Sequence, residues 1–186
     1  TFNAMNMISE KENGVDLVNH IMNIKKSGYV MQKIYVGFIG GCLSAVLTAC
    51  CYFRLPVWNG LLMLVLIILS AFIAALIGLF IGRFADNLMV GVVYIKIFMI
   101  IFIAVPLVSY LLGASGLISV LCYFVPSSAS FEGIMSLADS DKPMITKDIF
   151  ILMAHCIIWF ALYLSISKWQ IKHCSKTIRQ REIKQN

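Results

Sequence analysis

The chain has 186 residues, of which 60% are hydrophobic and only 13% charged, against about 45–50% apolar and about 25% charged in soluble domains. That excess excludes a soluble globular domain and intrinsic disorder, and the net charge of +6 lies at the ends and between apolar runs, not in the clustered patch of a nucleic-acid-binding domain. Six cysteines without C-x-x-C spacing suggest neither a disulfide framework nor a zinc site.

Residues 1–33 are predominantly polar. The chain opens on Thr1 without a basic n-region followed by a short apolar core, so no signal peptide is expected. Ser9-Glu10-Lys11-Glu12 has the form of a capping box, which predicts a short helix starting there, broken or turned at Gly14. Val15, Val18, Ile21, Met22 and Lys25 then recur at helical spacing and predict an amphipathic helix on the inner membrane surface. Such a helix serves either as a headgroup anchor or as a docking element for a cytoplasmic partner.

A bilayer crossing needs about 20 mostly apolar residues, because the hydrocarbon core is about 30 Å thick. Four stretches qualify: 34–53, 59–82, 88–112 and 149–167. They must be helices, since a lone helix satisfies its own backbone groups in lipid. In the second, Ala74, Gly78 and Gly82 repeat every four residues and predict a closely packed helix partner; Gly37 and Gly41 make a similar step in the first. In the third, Lys96 lies about 12 Å past Leu88, where it either snorkels to the interface or faces a transport pathway. Pro106 removes a backbone hydrogen bond and predicts a kink. Residues 113–126 hold a fifth apolar run, Leu117 to Val125, too short to cross; it reads as a re-entrant segment ended by Pro126. Residues 127–148 read as a solvated outer loop. His155, in the last span, either packs quietly or lines a pathway. Residues 168–186 form a basic tail with no assigned role.

With the N-terminus inside, eleven Lys and Arg fall on the inner side and three, Arg54, Lys142 and Lys147, on the outer, which places both termini in the cytoplasm. The expectation is an all-α polytopic membrane protein: four transmembrane helices, an N-terminal cytoplasmic amphipathic helix and a short extracellular re-entrant segment.

Chemistry-bearing motifs are sparse. There is no phosphate-binding G-x-x-x-x-G-K-[ST], no G-x-G-x-x-G and no H-E-x-x-H, so the chain is not expected to hydrolyse nucleotide, hold a metal or act as an enzyme. Gly113-Ala114-Ser115-Gly116 with His155 resembles the serine and histidine segments of rhomboid-type intramembrane proteases. There the serine heads a full crossing helix, whereas here nine apolar residues precede Pro126, so no catalytic residue is assigned.

Order and spacing carry more. Glu10-Lys11-Glu12-Asn13-Gly14, an amphipathic run ending in Lys33, a long span ending in Gly78-Leu79-Phe80-Ile81-Gly82, then Asn87, and Tyr123-Phe124-Val125-Pro126 before the final span resemble the type-2 ATP-binding-cassette (ABC) exporter permeases. The resemblance covers the last four of that family's six spans and implies a permease subunit without a cofactor of its own. It further implies a separate ABC ATPase subunit and a second permease copy, identical or different, as partners in the cell membrane. Glu10, Glu12 and Gly14 would form the element that meets the ATPase, and Lys96, Pro106, Pro126 and His155 would border the pathway. The competing readings are a non-transporting membrane immunity or scaffold protein and an intramembrane serine hydrolase.

Overall fold

The computed structural model describes residues 2–15, 26–52, 57–113, 117–138 and 142–185. Most of the amphipathic run expected after Gly14, at residues 16–25, lies outside the described residues, as does Ser115. Among the described residues seven helices follow in order: α1 (Phe2–Glu12), α2 (Lys26–Tyr52), α3 (Val57–Phe84), α4 (Leu88–Leu111), α5 (Leu117–Cys122), α6 (Pro126–Ala138) and α7 (Lys142–Gln185). Four are long and apolar enough to cross a membrane, over Met31–Cys51, Asn59–Phe84, Leu88–Leu111 and Ile145–Ile166.

The α3 sequence is apolar all round, which suits a helix enclosed by others. Its span is 56% buried, against 6–11% for the other three, so α3 is the central rod. Leu66, Leu76 and Leu79 are no more than 1% exposed. An aromatic seam fastens α7 to it: Phe80 meets Trp159 and Tyr163 edge-on at 5.6 and 5.5 Å, and Phe72 lies 6.3 Å from Phe160. Each such pair contributes about 0.5–1.5 kcal/mol beyond area burial. Ile39, Leu43 and Leu47 of α2 and Ile100 and Ile103 of α4 point outward, where lipid tails are as apolar as they are.

Two stretches differ from the sequence expectation. A helix ends, not begins, at the Ser9–Glu12 box: α1 starts by Phe2, because Asn3, Ala4 and Ile8 are buried against the spans and reward the early turns with packing. Ser9 Oγ accepts from Asn13 Nδ2 at 3.2 Å, and Gly14, at φ +69°, stops the helix in the left-handed conformation that glycine adopts without cost. The segment 1–33 is therefore not a surface element throughout, since α1 lies among the spans. Likewise, 127–148 is not a solvated loop. Pro126 opens α6, at the first helical position where its missing N–H is no loss. Ala129, Gly133 and Leu137, four apart, bury one face of that helix, and Asp148 is fully buried at the start of α7. The intervening α5, six residues long, does not cross.

Candidate coupling site

At one end of the bundle, α1 sits in a groove made by glycines on three different helices. A Cβ placed on Gly37 of α2 would lie 2.0 Å from Asn3 Nδ2, one on Gly82 of α3 would lie 2.9 Å from Met7 Cβ, and one on Gly91 of α4 would lie 2.2 Å from Ile8 Cδ1. Gly78 is looser, 3.5 Å from Asn3 Cβ. Only bare backbone leaves room for an extra helix at this depth. Of the small-residue series in the second span, Gly78 and Gly82 thus face α1, while Ala74 borders a cavity between α3, α4 and α6.

The last turn of α1 converts this seat into a grip. Successive helical residues project about 100° apart, so Glu10, Lys11 and Glu12 reach three different partners. Glu10 is ion-paired with Lys33 of α2, which is only 10% exposed. Lys11 Nζ donates to the carbonyls of Arg83 and Ala85, at 2.7 and 3.1 Å, at the C-terminal end of α3. That is where a helix lacks internal partners for its carbonyls and carries its partial negative charge. Glu12 Oε1 accepts from the Leu88 N–H at 2.8 Å, at the positive N-terminus of α4. Asn87 completes that cap, its Oδ1 accepting from the Val90 N–H at 2.9 Å. Lys11 and Glu12 therefore clasp the short α3–α4 turn from both sides, and Arg83 lies 5.8 Å from the centre of the Tyr163 ring, extending contact to α7. Gly14 follows in the left-handed conformation, and Val15 is exposed.

The four candidate pathway residues do not converge. Pro126 is the one of them that lines the cavity, which has a volume of about 360 Å³. Pro106 is buried within α4, whose helix continues to Leu111. Lys96 is exposed on the outward side of α4. His155 Nε2 lies 2.9 Å from the Tyr123 carbonyl and holds the α5–α6 turn against α7.

That turn carries a polar cluster that sequence reasoning missed. Tyr123 Oη donates to Glu132 and lies 3.3 Å from Asp148 Oδ1, while Lys147 Nζ donates to the same phenol at 3.3 Å and sits 4.5 Å from its ring centroid. Burial, the Glu132 hydrogen bond and the nearby carboxylates push the Tyr123 phenol above its usual range, keeping it a donor. The partners are 9 and 25 residues away along the chain, so no local spacing announces them. We expect Tyr123→Phe to cost about 1–3 kcal/mol by leaving buried carboxylate oxygens without their donor. In thermal unfolding in detergent it lowers Tm by several degrees, whereas Tyr110→Phe, whose ring contact with Phe131 needs no hydroxyl, leaves Tm unchanged.

The family model described as ABC-2 family transporter protein matches residues 1–164. No curated protein and no solved structure matches the chain. The match takes in the α1 grip, the first three spans and nearly all of the fourth, and with it the chain is placed among the ABC-2 family transporter proteins, as a multi-pass membrane protein of the permease type.

Proposed function

We propose that this chain is the membrane-spanning subunit of an exporter driven by ATP hydrolysis on a separate ABC ATPase subunit, and that it works beside a second permease copy in the cell membrane. The grip at Glu10, Lys11 and Glu12 carries the proposal. A push delivered to the chain just beyond Gly14 enters α1 and reaches α2 through Lys33, α3 through its final carbonyls and α4 through Leu88 together. Elements tied in this way move as one body, which is what rocking between inward- and outward-open states requires. The eleven-to-three bias of basic residues supports a cytoplasmic position for this end. In this reading Glu10 and Glu12 transmit force within the permease, and the surface that touches the ATPase begins after Gly14.

Gly14→Val tests it. Among the described residues nothing lies within 4 Å of the added Cβ, so the change acts by straining a residue at φ +69°, by about 1–2 kcal/mol. That alters the populated exit direction by a factor of about 5–30. The expected result is loss of most of the ATPase that copurifies with the permease, with α1 still docked. Undiminished copurification and nucleotide-driven turnover would remove the case for coupling here.

A further inference from the structure

The cavity between α3, α4 and α6 has a built polarity. It extends along α3 from Ser70 to Ile81, about 16 Å at the helical rise. Ile81 and Ile95 line one end, Phe102 forms part of the wall, and Ser70, Ser127 and Ser130 line the other end. None of the described lining residues is charged, and about 360 Å³ falls within the range of small-molecule sites.

The three hydroxyls have distinct capacities. Ser70 Oγ donates to the Leu66 carbonyl at 2.6 Å and lies 2.9 Å from Ser130 Oγ, which in turn is 3.2 Å from the Pro126 carbonyl. The protons of this pair are engaged, yet their oxygens keep lone pairs that can accept. Ser127 Oγ is buried with no hydrogen-bond partner among the described residues. It can swing by rotation about one torsion, and burial without a partner is costly. A hydroxyl entering the serine end would donate to the Ser70–Ser130 pair and accept from Ser127.

From this arrangement we infer that the cavity is a binding site for an uncharged single-chain amphiphile with an alcohol head, the head among Ser70, Ser127 and Ser130 and the chain running along α3 toward Ile81. The absence of any lining charge disfavours phosphate or ammonium heads, which would be buried without a counter-ion. The site lies within one chain and does not depend on coupling to an ATPase.

The test uses the full chain in native membranes and a monoacylglycerol carrying a photoreactive diazirine in its chain. Adducts are expected on Ile77, Phe98 and Phe102 of the cavity wall. Ala74→Phe fills the cavity and should lower labelling by about tenfold. Ser127→Ala, which removes one oxygen and leaves the packing intact, should lower labelling by about fivefold, while labelling by a diazirine alkane without a head stays the same. Adding ATP to inside-out vesicles distinguishes the two sources of such a molecule: labelling that falls as probe is translocated identifies cargo, and labelling that persists identifies a resident lipid, both consistent with the site. Adducts spread equally over Ile39 and Leu43 on the outer face of α2, or equal loss of both probes in Ser127→Ala, would overturn it.

Discussion

Glu10→Lys should release α1 from the bundle, and the exchanged pair Glu10→Lys with Lys33→Glu should return it. Lys33 is 10% exposed and its partner 22%, so removing the carboxylate leaves a largely buried ammonium facing a second one. Breaking a buried pair in this way costs about 3–5 kcal/mol, which shifts the docked population by about two orders of magnitude or more. Docking can be read directly, because a Cβ on Gly78 lies 3.5 Å from Asn3 Cβ, within the reach of a disulfide. In a cysteine-free background, Asn3→Cys with Gly78→Cys should cross-link efficiently, lose the cross-link with Glu10→Lys and regain it in the exchange. ATP hydrolysis by the copurified complex should follow the cross-link. A charge-reversed protein that cross-links as well as the parent would show that glycine packing alone seats the helix.

Gly82→Val should be nearly as severe by a purely steric route. Its Cβ would meet Met7 Cβ at 2.9 Å and the Ala4 carbonyl at 3.3 Å, neither of which is the mobile tip of a side chain. Overpacking of this kind costs about 1–3 kcal/mol, more when backbone must move. At Gly37 the obstacle is the end of the Asn3 side chain, which can turn aside, so Gly37→Ala should be milder. Gly40, one turn further along α2, has nothing within 4 Å among the described residues, and Gly40→Ala should be neutral or stabilising by up to about 1 kcal/mol through helix propensity. The order of cross-linking yield, Gly40→Ala above Gly82→Val, checks the groove, while Gly37→Ala, whose obstacle is the Asn3 side chain itself, is compared by thermal unfolding with Asn3 intact. A Gly82→Val protein with parental yield would contradict it.

The spans were legible because the bilayer imposes its thickness on the sequence: runs expected at 59–82 and 88–112 are observed over Asn59–Phe84 and Leu88–Leu111. The position of α1 was not, since acceptance of that helix depends on bare backbone at Gly37, Gly82 and Gly91, which belong to three other helices. The acidic residues at 10 and 12 drew attention through their order in the family-like stretch, but their partners, Lys33 and the Leu88 N–H, lie 23 and 76 residues away. The region 127–148 reads as solvated because Glu132, Asp139, Asp141 and Asp148 place four carboxylates in it. Burial of Asp148 beside Tyr123 depends on a fold that brings the α5–α6 turn against α7. One local cue was available, since a proline followed by small residues and an apolar four-residue repeat marks a helix start as well as a segment end.

Because Glu10, Lys11 and Glu12 address three neighbours from consecutive positions, this stretch is intolerant of length change. Deleting or inserting a single residue between Ile8 and Glu10 would rotate all three side chains by about 100° relative to the seated first turns and misdirect every one of them together. Point substitutions can injure one link and spare two, whereas a single-residue indel between Ile8 and Glu10 should break all three links together.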